Sequence, residues 1–181
     1  PLEQFSFKKR HRKLLRVNSA RFTHHFEPFQ VTTEMEALWQ RFKSTVHNWG
    51  YIPSLEQHLL RGLKATSVGM WQLSVFEGTK LVALTAFDLG EDGLASLEAA
   101  YDPDYGSFSL GFYTMLLEIQ FCLDQHLRFY YPGFLPKDDP MFKYKLRPGE
   151  LSFFRLATQE WLPMAALTDA DWLYEKVKSK L

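Results

Sequence analysis

Apolar residues change their spacing several times along the chain, and each change predicts a different kind of element. The run FSFKKRHRKLL, residues 5–15, brackets a basic stretch with apolar ends and predicts a short basic helix. Val17 to Phe29 reads as an extended segment with Pro28 near its end. Thr33-x-x-Glu36 has the form of a capping box, in which a hydroxyl and a carboxylate satisfy free amides at a helix start. Met35, Leu38, Trp39, Phe42 and Val46 then recur at steps of three and four. That spacing predicts a helix to about Asn48, ended by Gly50 and Pro53. Ser54 opens a second helix with Leu55, Leu59 and Leu60 along one side.

In the middle of the chain the pattern becomes strand-like. Met70 to Glu77 and Lys80 to Asp88 predict two strands joined by the compact turn Gly78-Thr79. Gly90-Glu91-Asp92-Gly93 forms a second turn and Leu94 to Tyr101 a third strand, completing an antiparallel meander. Asp102-Pro103-Asp104 breaks it. A long helix follows from about Ser109 to His126, with Leu110, Tyr113, Thr114, Leu117 and Phe121 along one stripe. Arg128 to Tyr131 is short and β-like, and its distance from the third strand suits parallel pairing across that helix. After the proline-rich loop PGFLPKDDP, Glu150 to Ala157 predicts a further strand. Thr168 can cap a C-terminal helix whose Lys176, Lys178 and Lys180 suit a helix C-terminus.

The order of helices, meander, helix, strand and strand is that of a mixed α/β (α+β) domain, not a doubly wound parallel sheet. With 181 residues, 46% hydrophobic and 23% charged, the chain can bury one sizeable core, and a single domain over residues 1–181 is expected. There is no internal repeat. Cys122 is alone, which excludes a disulfide framework and an all-cysteine metal site within the chain. His24 and His25 have no carboxylate spacing that makes a metal site, so no metal and no cofactor are expected. No apolar run approaches the roughly 20 residues of a membrane span, and there is no signal-peptide pattern. A cytoplasmic protein is the expectation, and the opening Pro in place of Met suits a trimmed or partial sequence.

Zero formal net charge conceals an asymmetry. Residues 1–25 carry Lys8, Lys9, Arg10, Arg12, Lys13, Arg16 and Arg21 against Glu3 alone. Such a patch favours a polyanion through counterion release, or it is a solvated basic face. His11, inside it, adds charge only below neutral pH. Aromatic residues are 16% of the chain, enough to fill a core and line a cleft.

An antiparallel meander, a long helix and then a parallel strand is the ground plan of GCN5-related N-acyltransferases, where free amides at the helix start face a phosphate-bearing donor. The acetyl-CoA signature Arg/Gln-x-x-Gly-x-Gly/Ala is missing: Gly106 and Gly111 lie at other spacings. Three features point elsewhere: SLEAAYDPDYGSFSLGFY (96–113), the long helix after it, and MFKYKLRP (141–148). With the early KKRHRK and two helices in order, they resemble the C-terminal domain of arginyl-tRNA–protein transferases over most of residues 5–160. The resemblance implies transfer of an amino acid, arginine or in bacterial relatives leucine, from aminoacyl-tRNA to the N-terminal amine of a protein, marking it for degradation. The family's cysteine-containing N-terminal domain has no counterpart in this sequence.

The same resemblance assigns candidate roles. Lys8, Lys9, Arg10, Arg12 and Lys13 fit tRNA backbone contacts, as do Lys143, Lys145 and Arg147, which alternate on one face if extended; the other reading of these three is a structural ion-pair cluster with Asp138 and Asp139. Tyr101, Asp102 and Asp104 lie where the third strand meets the long helix, where a carboxylate can serve as base or anchor for the attacking amine. The other reading is that Asp-Pro-Asp only turns the chain. Ser107, Ser109 and Gly111 either cap the long helix or receive the terminal phosphate of the tRNA 3′ end, and Tyr131, beside Tyr130, either stacks on the terminal adenine or packs in the core. Glu98 faces the cleft or solvent. Cys122 reads as a small core residue, and no serine hydrolase pattern occurs. Direct transfer within a ternary complex fits this inventory; the alternatives are an acyltransferase of this fold using a small donor, or a binding module without catalysis.

Overall fold

A computed structural model describes residues 1–3, 5–46, 52–60, 69–136 and 140–171. The chain forms two compact units, Pro1–Gly133 and Phe134–Leu181. The first contains a five-stranded sheet in the order β1 (Thr23–Pro28), β2 (Met70–Glu77), β3 (Lys80–Leu89), β4 (Gly93–Tyr101), β5 (Phe129–Tyr131). The predicted meander is there: β2, β3 and β4 pair antiparallel in sequence. So is the parallel strand, as Gly93, Leu94 and Ala95 of β4 pair with Phe129, Tyr130 and Tyr131. The β2–β3 turn is two residues long because Gly78, at φ +59°, accepts a left-handed conformation that a side chain would oppose. This is the mixed α/β architecture the pattern predicts.

Helices cover both faces. α2 (Thr33–Val46) and the short α3 (Leu55–Leu60) lie on one face, where Met35, Leu38, Trp39, Phe42 and Leu55 pack against Leu81, Leu84 and Ala100. α4 (Leu110–Asp124) lies on the other, since Thr85, next to Leu84 and so pointing the opposite way, hydrogen-bonds Glu118 of α4. Phe121 of α4 stacks on Phe26 of β1 at 4.4 Å, tying the edge strand into this layer. α1 (Lys9–Ser19) packs outside α4: Asn18 donates to the Phe108 carbonyl at 2.9 Å, and the Ser19 and Tyr113 hydroxyls lie 3.1 Å apart.

Several boundaries differ from the sequence expectation, each for a local reason. α1 starts at Lys9, not Phe5, because Phe5 and Phe7 fold over His11, whose ring is buried between them and Phe112. His11 is therefore no part of the solvated patch. α1 also runs on to Ser19, shortening the predicted extended segment to Thr23–Pro28, which pairs antiparallel with β2. Thr32, not Thr33, caps α2, its hydroxyl accepting from the Met35 amide at 3.2 Å. Glu36 instead accepts from the Leu55 amide at 2.8 Å and so positions α3. A reciprocal capping box does occur one helix later: the Gln57 amide donates to Ser54 Oγ and the Ser54 amide to Gln57 Oε1.

The second unit contains the hairpin β6 (Ser152–Arg155) and β7 (Glu160–Pro163). Residues 140–146 form a 3-10 turn, so the condition for Lys143, Lys145 and Arg147 to alternate on one face, an extended run, is not met. Arg155 clamps Asp171 through two hydrogen bonds at 2.7 and 3.0 Å. The predicted C-terminal helix and its lysines lie largely in residues 172–181, outside the described residues; Asp138 and Asp139, the candidate ion-pair partners of Lys143, Lys145 and Arg147, also lie outside them.

Candidate acyl-transfer site

At the end of β4 the chain turns through a 3-10 segment, Pro103–Phe108, before α4 starts. Asp102 opens that turn, its carboxylate accepting from the Asp104 amide at 3.0 Å. The turning role foreseen for Asp-Pro-Asp is real, but it uses only part of the carboxylate. Asp102 is 1% exposed and also meets Lys80 Nζ at 2.8 Å and the Arg41 guanidinium at 3.1 and 3.2 Å. Arg41 bridges on to Asp104. Burial alone pushes the Asp102 carboxyl up; the Lys80 hydrogen bond, the Asp104 amide and Arg41 outweigh that and hold it below its usual range.

The charges continue beyond Lys80. Its ammonium lies over the Tyr105 ring at 4.9 Å, Tyr105 donates its hydroxyl to Glu77, and Glu77 pairs with Arg21. The Tyr105 and Arg21 hydrogen bonds lower the Glu77 carboxyl, and the Glu77 bond raises Tyr105. Arg41 is raised chiefly by its Asp104 hydrogen bond, and Lys80 by that to Asp102. Three cations, Arg21, Arg41 and Lys80, thus stand on one end of the sheet, each about half exposed (48%, 45% and 50%) and aimed by a carboxylate. They come from α2, the α1–β1 link and the start of β3, positions far apart in sequence and in no motif. Only the fold brings them to the Asp-Pro-Asp turn.

The remaining predicted residues distribute as follows. Tyr101 ends β4 and packs on Phe42 at 4.8 Å, a core contact beside the site. Ser109 takes a left-handed conformation (φ 51°, ψ 46°) at the start of α4 and makes no side-chain capping bond, so a capping role for its hydroxyl is not observed. Ser107 is exposed in the preceding turn, and Gly111 lies in the first turn of α4. Tyr131 sits in β5 with its ring 6.1 Å from that of Phe129. Lys8, Lys9, Arg10, Arg12 and Lys13 are all exposed on or beside α1. Lys143, Lys145 and Arg147 belong to the second unit, where Lys145 donates to the Phe134 carbonyl at 2.9 Å. Cys122 is fully buried in α4, and burial pushes its thiol up to about 12.

A second polar cluster lies further along β4. Glu98 is part-buried and engaged by two groups: its Oε2 lies 2.9 Å from His58 Nε2 of α3 and its Oε1 3.4 Å from Lys43 Nζ of α2. Burial raises the Glu98 carboxyl, but His58 and Lys43 outweigh burial and leave it low. The parallel ladder with β5 stops at Ala95, so residues 96–101 of β4 have no strand on that side among the described residues. No group of three or more His, Cys, Asp or Glu able to hold a metal ion occurs among the described residues, and no helix there is long and apolar enough to cross a membrane.

Residues 34–153, which include the whole meander, the Asp-Pro-Asp turn and α4, match the family described as "Arginine-tRNA-protein transferase, C terminus". The chain belongs to that family. Relatives include the aspartate/glutamate leucyltransferases of Leptospira interrogans serovar copenhageni, 26% identical over 155 residues, and of Vibrio cholerae, 26% identical over 162 residues. These alignments cover 80% and 89% of this chain, but the chain spans only 58% and 68% of the two relatives. Among solved structures, the C-terminal domain of a putative lysylphosphatidylglycerol synthetase from Agrobacterium fabrum matches with TM-score 0.60 at 14% identity, over 90% of this chain and 56% of that one. The ribosomal-protein-S18-alanine N-acetyltransferase of Escherichia coli matches with TM-score 0.52 at 13% identity, over 81% and 97%. At such identities the likeness is one of fold, and the fold of this transferase family member is that of the N-acetyltransferases.

Proposed function

We propose that this chain is the acyl-transfer domain of an aminoacyl-tRNA–protein transferase that moves leucine onto proteins beginning with Asp or Glu and so marks them for degradation. The observation that carries the reading is the set of half-exposed cations, Arg41 and Lys80 with Arg21 beside them, held on the buried Asp102 and on Glu77 next to the start of α4. A nucleic-acid 3′ end needs such a place, with fixed cations for phosphate and helix amides nearby. The basic face of α1, packed on α4, extends the positive surface for the tRNA backbone. Leucine and acidic acceptors are favoured by the names of the relatives; arginine is the second reading, supported by the family's own description.

In this reading Asp102 does not take the proton of the attacking amine. A carboxylate already engaged by Lys80, Arg41 and an amide, and held low by them, is a weak base. Its part is to fix two cations that receive the donor. The amine attacks the ester carbonyl, a carbon–nitrogen bond forms, and the ribose oxygen leaves with a proton. Much of the acceleration is positional, since the ester is already activated. The test is to offer leucyl- and arginyl-tRNA, each labelled, with peptides beginning with Asp, Glu, Lys or Arg. Leucine appearing on the Asp and Glu peptides supports the proposal; arginine on the same peptides replaces the donor; no transfer to any peptide refutes it.

A further inference from the structure

We infer that His58 is the group that accepts the proton of the acceptor amine, with Glu98 as its positioning residue; this rests on the transfer reading above. His58 Nε2 lies 2.9 Å from Glu98 Oε2. A neutral imidazole in this geometry donates Nε2–H to the carboxylate, which leaves Nδ1 as the ring's acceptor. Lys43 Nζ, 3.4 Å from the other carboxylate oxygen and 4.3 Å from the Trp39 ring, keeps Glu98 charged and fixed. The Trp39 ring lies 5.0 Å from that of His58, and Trp39 Nε1 donates to the Pro53 carbonyl at 2.9 Å just before α3. The imidazole is therefore held by packing as well as by Glu98, while remaining 34% exposed. A carboxylate, an oriented imidazole and access from solvent are what a general base requires.

Its place along the sheet suits the reaction. Glu98, on β4, lies four residues before Asp102, which follows the strand's end, about 13 Å at a strand rise of roughly 3.3 Å per residue. The intervening stretch belongs to residues 96–101, where β5 no longer covers the strand edge. A donor with its terminal phosphate at Arg41 and Lys80 can run along that edge and bring its ester toward His58. Attack by the acceptor nitrogen on the ester carbonyl forms the carbon–nitrogen bond; the nitrogen gives its proton to His58. The carbon–oxygen bond to the ribose then breaks, and the imidazolium returns the proton to the ribose oxygen. The step balances with no further reactant. Asp102, the carboxylate singled out by the sequence, stays charged throughout.

The test compares the chain with its His58→Gln, His58→Ala, Glu98→Gln and Glu98→Asp variants in the transfer assay, with thermal melting and charged-tRNA binding measured alongside. His58→Gln is expected to lower kcat about 10²- to 10⁴-fold and Glu98→Gln at least about tenfold, with KM for charged tRNA unchanged. Added imidazole restores part of the rate of His58→Ala, and Glu98→Asp retains more activity than Glu98→Gln; a merely structural tie between α3 and β4 gives neither result. Wild-type kcat in His58→Gln, or a loss that imidazole leaves untouched, overturns the inference while wild-type transfer keeps the functional reading. If the unaltered chain binds charged tRNA but transfers to no acceptor, the functional reading falls and this inference with it.

Discussion

Asp102→Asn removes one negative charge from a carboxylate that holds two cations and one backbone amide, with almost no change of shape. The wild-type side chain is 1% exposed and receives hydrogen bonds from Lys80 at 2.8 Å, Arg41 at 3.2 Å and the Asp104 amide at 3.0 Å. Hydrogen bonds to charged groups are each worth roughly 1.5–3 kcal/mol, but Arg41 and Lys80 are half exposed and recover hydration when released. The asparagine also keeps one acceptor for the amide. The net loss is therefore about 2 kcal/mol, equivalent to a fall in Tm of roughly 4–8 °C for a chain of this size. The sign with pH follows from the direction of the shift. Asp102 is held low in the folded protein, so its contribution is fully present above the unfolded carboxyl value of about 3.9 and is lost as pH falls through the folded value. Thermal melting from pH 7 down to pH 3 measures this: a gap between wild type and variant at neutral pH that narrows once pH falls below the unfolded carboxyl value. A gap of constant size at every pH, or none at neutral pH, would refute the ion-pair account. In the transfer assay the same substitution raises KM for charged tRNA, because the cations lose their anchor; a change in kcat alone would return Asp102 to the part of base.

Other consequences are independent of that site. Lys9, Lys13 and Arg16 lie exposed on one stripe of α1; replacing all three with Gln should flatten the slope of log Kd against log salt for tRNA by about 2–3 while Tm stays put. An unchanged slope removes α1 from the interface. Cys122 is buried with its thiol near 12, so the native chain should resist alkylation at pH 7 and Cys122→Ala should transfer at the wild-type rate; a loss of transfer would implicate a covalent intermediate. Leu84 is fully buried between β3 and α2, and Leu84→Ala should cost about 2–5 kcal/mol in denaturant unfolding, with a value under 1 kcal/mol contradicting its place in that core.

Periodicity made most of the fold legible. Met35, Leu38, Trp39 and Phe42 announced α2 by spacing, and Gly78-Thr79 announced the β2–β3 hairpin by turn chemistry, because both signals are local. Boundaries failed where tertiary contacts decided them. Phe5 and Phe7 look helical in isolation but serve to cover His11, and Glu36 looks like a capping partner but is taken by the Leu55 amide. Glu160 to Pro163 gave no strand signal; it pairs with Ser152 to Arg155 across a short turn. At the candidate site, Asp102 and Asp104 stood out because Asp-Pro-Asp is a visible breaker. Arg41, Lys80 and Glu77 did not, since each sits unremarkably in a helix or at a strand end and meets Asp102 or its neighbours only after folding. The His58–Glu98 pair is 40 residues apart in sequence and was equally invisible.

The most direct measurement is to incubate the chain with leucyl-tRNA and a peptide beginning with Asp and containing an internal lysine, and to locate any added residue by tandem mass spectrometry. The account predicts one leucine on the N-terminal α-amine and none on the lysine. Release of free leucine without a modified peptide, or leucine on the lysine side chain, would contradict it.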